Sequence, residues 1–177
     1  DGGTWRRVHR RELRRPTART YTSGGTGTNS ETNPTNAYDA DDSTHKSTYG
    51  SWQRSGVPAA SRTSTTVFNS WQTTANTYNT LRLYLSASGS GNDGQTGATS
   101  SVKFEISVDA GSNWTQMYLF TTPATVTGSL AYTLSAAQNL ANVQIRMSVQ
   151  GASGGGTFNV PGDATADVWD IFTVGTY

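Results

Sequence analysis

The chain has 177 residues, enough for one domain with its own core and too few for two comfortable ones. Only 33% of residues are apolar and 14% charged, Cys is absent, and no run approaches the roughly 18 apolar residues of a membrane helix. A disulfide framework, a thiolate metal site and a helical span are thereby excluded. The net charge of +1 conceals an asymmetry, because residues 1–20 carry seven Arg and net +5 while the remainder nets −4. Two regions with different jobs are expected.

The start lacks the apolar stretch of a signal peptide, and its Asp1-Gly2-Gly3, without Met, predicts a fragment or a processed chain. Residues 1–20 read as a basic arm, with Trp5, Val8 and Leu13 too sparse an apolar stripe for a free-standing helix and Pro16 ending what precedes it. Seven Arg suggest a nucleic-acid patch or a docking arm. No aromatic platform is interleaved with the charge, so docking onto a neighbouring subunit is preferred, through Trp5, Arg6, Arg7, Arg10 and Arg11. Residues 21–36 are turn-rich and read as a linker, leaving 37–177 as the folded domain.

Within that domain the elements are strands. Thr65–Phe68 is a short one, and Leu81, Leu83 and Leu85 alternate with Arg82 and Tyr84. A Gly/Ser-rich loop is expected over 86–97. Val102, Phe104, Ile106 and Val108 alternate with Lys103, Glu105 and Ser107, the strongest period-2 signal present. Asp109–Asn113 turns this strand back into Trp114–Phe120 as a hairpin. Further strands are expected at Leu130–Leu134, Val143–Val149 and Ala166–Val174, with a loop over 150–163 and one helical turn within Ser135–Ala141 capped by Ser135. Short alternating strands between polar loops predict an all-β fold, an antiparallel two-sheet sandwich or jelly roll.

One stretch concentrates carboxylates, Asn33-Pro34-Thr35-Asn36-Ala37-Tyr38-Asp39-Ala40-Asp41-Asp42-Ser43-Thr44. Its acids repel one another unless a cation or an Arg neutralises them, and loop oxygens of this kind suit Ca²⁺. The stretch resembles the first loop of discoidin-like (coagulation-factor type C) domains, jelly-roll sandwiches of the galactose-binding-like class, although Ala40 stands where that family has Gly. The resemblance implies a structural Ca²⁺ held by Ala37, Asp39, Asp41 and Thr44, with Asp170 of the last strand as the distant acid. It also implies a carbohydrate-binding role, while the sugar-contacting loops do not carry over.

Two shorter likenesses add to this. Ser107-Val108-Asp109-Ala110-Gly111-Ser112-Asn113-Trp114 is similar to the Asp-box, a hairpin in which Asp accepts from turn amides, Gly takes positive φ and Trp packs beneath. Asn113-Trp114-Thr115 also has the form of a glycosylation sequon. Asp1-Gly2-Gly3-Thr4-Trp5-Arg6-Arg7-Val8 resembles short hairpin units of tailed-phage virion proteins. That likeness implies an arm joining other virion subunits, with homo-oligomers as the expected state.

Catalytic signals are weak. His9 and His45 make no zinc triad alone, no G-x-S-x-G occurs, and Gly24–Gly27 lacks its strand and helix. Asp167 and Asp170 could join Asp39 as glycosidase acids, but three residues apart on a regular strand they are expected on opposite faces. Tyr49, Trp52, Trp71 and Phe158, in or near loops, are the candidate platforms for sugar rings. The expected function is a non-catalytic virion structural or adhesion protein that contacts a cell-surface glycan and no membrane. The alternative is a carbohydrate-binding module of a secreted bacterial enzyme.

Overall fold

A computed structural model describes residues 11–23, 29–39, 46–52, 60–71, 77–78, 80–92, 100–121, 126–134, 138–153 and 162–176. Almost all of them are in strands: β1 (Arg11–Arg14), β2 (Pro16–Thr22), β3 (Asn29–Thr32), β4 (Lys46–Trp52), β5 (Ala60–Trp71), β6 (Thr77–Tyr78), β7 (Thr80–Asn92), β8 (Ser101–Ser107), β9 (Thr115–Thr121), β10 (Val126–Leu134), β11 (Gln138–Asn139), β12 (Gln144–Ser153) and β13 (Gly162–Thr176). One sheet runs β10-β7-β13-β4-β3 with β1 also on β13, and the other runs β2-β5-β12-β8-β9, while β6 and β11 form a small separate pair. Every pairing is antiparallel. The chain crosses repeatedly from one sheet to the other, as in a jelly roll, and the fold is the expected antiparallel β-sandwich.

Alternation builds the core. Phe68 of β5, Ile145, Met147 and Val149 of β12 and Val102, Phe104 and Ile106 of β8 face inward from one sheet, against Leu83, Ala164, Ala166, Val168 and Ile171 of the other. Each large side chain removed from water contributes about 1.5–3 kcal/mol.

Several boundaries differ from expectation. The basic arm does not extend to residue 20, since Arg11–Arg14 pair with Thr173–Thr176 and Pro16–Thr22 pair with β5. Residues 21–36 are not simply a linker, because Asn29–Thr32 pair with Ser47–Gly50. The Gly/Ser stretch expected as a loop continues β7 to Asn92, paired with β10 and β13, and β12 likewise runs on to Ser153. The single helical turn is a 3-10 turn at Leu140–Asn142, and its cap is Asn139, whose side chain accepts from the Ala141 amide.

A bulge in β13 matters most for the site chemistry. Between Val168 and Asp170 the register against β7 shifts, so that Asp167 faces Ser88 and Asp170 faces Ser86. Two residues on β7 of the same parity lie on one face, which puts Asp167 and Asp170 on the same face of the sheet. The extra residue reverses the parity that a regular strand would impose.

Candidate functional site: a polar groove and two shared carboxylates

The outer face of the β2-β5-β12-β8-β9 sheet carries a groove of about 470 Å³. Thr63 of β5, Ser148 and Gln150 of β12, Ser101 and Lys103 of β8, and Gln116, Leu119 and Thr121 of β9 line it. These are the outward members of strands whose alternate residues fill the core, so the same period-2 pattern makes both surfaces. A register shift between Phe104 and Glu105 bulges the edge strand β9 against β8, and a bulge of this kind bends and twists an edge. Leu119, 44% exposed, supplies an apolar spot among hydroxyls and amides.

Beside the groove lies an ordered row of charge. Glu105 accepts from Lys103 Nζ at 2.9 Å on one oxygen and from Arg146 Nε at 2.7 Å on the other. The Arg146 guanidinium stands 4.2 Å over the Trp114 ring, within cation–π range. Burial pushes the Glu105 carboxyl up, but the hydrogen bonds from Arg146 and Lys103 outweigh it and hold the group below its ordinary value. Trp114 thus steadies Arg146, Arg146 steadies Glu105, and Glu105 steadies Lys103 at the groove wall.

Trp114 is placed by the hairpin that resembles an Asp-box. Asp109 accepts from the Asn113 amide at 2.8 Å, from the Asn113 side chain at 2.6 Å and from the Ser107 hydroxyl at 2.7 Å. These bonds, led by the Asn113 backbone, lower the Asp109 carboxyl to about 2. Gly111 has φ +91°, and a Cβ there would lie 2.9 Å from Gln144 Oε1 and 3.6 Å from the Trp114 ring. Glycine is needed there for conformation and space. Asn113, the sequon residue, spends its side-chain amide on Asp109.

A second shared carboxylate is sealed between the sheets. Glu31 receives Lys46 Nζ at 2.7 Å and Arg19 at 2.7 Å on its two oxygens. Thr66 Oγ1 donates to it at 3.3 Å, and Lys46 also donates to Thr48. Lys46, Thr48 and Thr66 are fully buried. Burial lowers the Lys46 pKa, overriding the opposing pull of Glu31.

The residues implied as calcium ligands are only partly brought together. Asn33–Asp39 forms turns, with the Asn36 amide on Asn33 O at 3.1 Å and the Tyr38 amide on Thr35 O at 3.1 Å. They deliver buried Ala37 to the last strand, where its carbonyl accepts from Ile171 N at 2.8 Å. First loop and last strand therefore do meet. Asp170, however, gives both oxygens to Arg15, with Nε at 3.1 Å and Nη2 at 2.9 Å. Arg15 also lies 5.5 Å over the Phe172 ring, itself stacked on Tyr84 at 4.9 Å. A divalent ion at those oxygens would sit against a guanidinium, so Asp170 does not fit as its ligand. Asp39 is exposed, Asp41 and Thr44 lie outside the described residues, and among the described residues no group of three or more acids or His is placed to hold a metal.

The candidate sugar platforms fare differently. Trp71 is a core residue at 2% exposure, donating from Nε1 to Val143 O at 2.7 Å, so its faces are closed to a ligand. Tyr49 and Trp52 belong to β4, opposite Thr165 and Gly162, and not to loops. Phe158, Trp5, Arg6, Arg7 and Arg10 lie outside the described residues, and Arg11 pairs with Thr176 in β1. None of the groove residues was singled out by sequence. Their signal was the polar half of the alternating strands, which marks a face without stating its use.

No known family matches this sequence, and no curated protein does. Solved structures with a similar course include the CBM32 of AlyQ in complex with 4,5-unsaturated mannuronic acid, at 16% identity over 92% of this chain and 97% of that one, with TM-score 0.38. The Clostridium thermocellum xylanase 10B CBM22-1–GH10 modules complexed with xylohexaose match at 13% identity over 88% of this chain and 26% of that one, with TM-score 0.42. The enzymatically active domain of bacteriophage CBA120 tailspike protein 4 matches at 12% identity over 94% of this chain and 19% of that one, with TM-score 0.35.

Proposed function

We propose that this chain is a non-catalytic glycan-binding β-sandwich whose ligand lies in the groove on the outer face of the β2-β5-β12-β8-β9 sheet. The observation that carries the reading is the lining itself: Gln116, Gln150, Ser101, Ser148, Thr63 and Thr121 around exposed Leu119. Sugar rings present hydroxyls that need donors and acceptors together, and C–H faces that need an apolar spot. Strand-borne side chains hold such groups in fixed positions.

Binding is favoured over catalysis by the state of Glu105. A glycosidase acid must keep its proton near neutral pH, which calls for a raised pKa. Glu105 is shifted the other way, below its ordinary value.

For biological context we assign display on a virion, with residues 1–10 joining neighbouring subunits, on the likeness of Asp1–Val8 to virion hairpin units. The alternative, a module of a secreted enzyme, shares the groove and differs in the arm. Deleting 1–10 distinguishes them and should abolish oligomers in light scattering; intact oligomers would contradict the virion assignment. The deletion stops at residue 10 because β1 and β2 belong to the sandwich. At the junction of first loop and last strand, Arg15 is proposed to supply the positive charge that calcium was expected to bring.

A glycan array tests the main reading. Saturable binding should fall at least tenfold in Gln116→Ala/Gln150→Ala with an unchanged melting temperature. A blank array, or a double variant that binds as well as the parent, would refute the groove.

A further inference from the structure

We infer that the ligand of this groove is an acidic polysaccharide, a chain whose rings carry carboxylates as uronates do. The inference rests on the glycan-binding reading above and adds the ligand's chemical class.

Lys103 and Arg146 share the single carboxylate of Glu105, one on each oxygen. Among the described residues, two cations against one anion leave the row with one net positive charge. Arg146 is committed to Glu105 and to the Trp114 ring. Lys103 is at the groove wall, with its side chain 36% exposed and further donor capacity on its ammonium. No carboxylate is among the described residues lining the groove, whose other polar groups are hydroxyls and amides. The excess charge therefore meets whatever enters.

Geometry favours a ring-borne carboxylate over a purely neutral sugar. Glu105 fixes Lys103 through its Oε1 at 2.9 Å, so the ammonium is positioned before a ligand arrives. Ser101 and Ser148 occupy the same wall and suit the hydroxyls that flank a carboxylate on a sugar ring. A neutral chain would satisfy the hydroxyls and amides and leave the ammonium without an anionic partner from the ligand.

The experiment is calorimetric titration of the intact chain with pectate, alginate and glucuronoxylan oligomers, each beside its carboxyl-reduced counterpart. At least one acid form should bind tenfold or more tightly than its reduced form, with a preference that shrinks as salt rises. Lys103→Met should remove the preference and Lys103→Arg should keep it, with both variants melting as the parent does. Equal affinity for acid and reduced forms would overturn the inference and leave the glycan reading in place. So would a preference that survives in Lys103→Met, or neutral glycans bound on the array while no uronate polymer binds. No binding to any glycan, on the array or in solution, would overturn the underlying reading and the inference with it.

Discussion

The same ionic arrangement occurs twice among the described residues, and its two settings differ in the exposure of the lysine. Between the sheets, Glu31 is shared by Lys46 and Arg19; on the outer face, Glu105 is shared by Lys103 and Arg146. The inner lysine side chain has no exposure and the outer one has 36%. Inside, the lysine is closed to any ligand, desolvation lowers its pKa, and the cluster ties β2, β3 and β4 together. Outside, the carboxylate and Arg146 form the base of an assembly whose lysine can still meet a ligand. An identical set of residue types is structural when its lysine is buried and available for recognition when its lysine reaches water.

Removing the shared carboxylate at each place should separate these roles. Glu31→Gln strands the Lys46 charge in the core and should cost about 3–5 kcal/mol in urea unfolding, the usual penalty for breaking a buried pair. Glu105→Gln, whose partners remain partly in water, should cost about 1 kcal/mol or less while weakening ligand binding. Comparable losses from the two would break the distinction.

Arg15 offers a third setting, a cation paired with the buried Asp170. Arg15→Ala leaves Asp170 buried and unpaired and should cost about 2 kcal/mol, largely recovered in Arg15→Ala/Asp170→Asn. With the guanidinium in place, EDTA should not change the melting temperature. A large drop would restore calcium to this junction.

pH should resolve the smallest effects. The Lys46 pKa is lowered on folding, so above that lowered value the unfolded chain binds more protons and stability rises with pH up to the ordinary 10.5. Unfolding free energy should thus climb as pH approaches 10.5 from below, and that climb should flatten in Lys46→Met. Asp109 behaves oppositely: its contribution is complete above the ordinary 3.8 and is lost as pH falls through about 2. The hairpin amides around Asn113 should lose their hydrogen-exchange protection in that acid window and keep it at pH 5.

These contrasts also explain what the sequence made legible. β8 and β12 were readable because Val102, Phe104 and Ile106 and Ile145, Met147 and Val149 alternate with polar residues over an apolar interior. β2 and β4 were not, because their inward positions are Arg19, Lys46 and Thr48, and a strand facing a buried ion cluster has no hydrophobic period. Gly/Ser-rich residues 86–92 look like a loop because pairing with β13 throughout, and with β10 as far as Gly89, keeps that part of β7 extended, not side-chain type. The Asp-box-like turn was legible in detail, down to Asp109, Gly111 and Trp114. Its use was not, because the partner of Trp114 is Arg146, 32 residues away by number and in a different strand. The bulge at Val168–Asp170 left no mark in composition, and it alone reversed the expected facing of Asp167 and Asp170.

The most direct test of the account is an amide chemical-shift map recorded while a glycan bound on the array is titrated in. Shifts should concentrate at Ser101, Lys103, Gln116, Leu119, Ser148 and Gln150, with β7 and β13 silent. Shifts centred on β4, β7 or β13, with the groove residues unmoved, would contradict it.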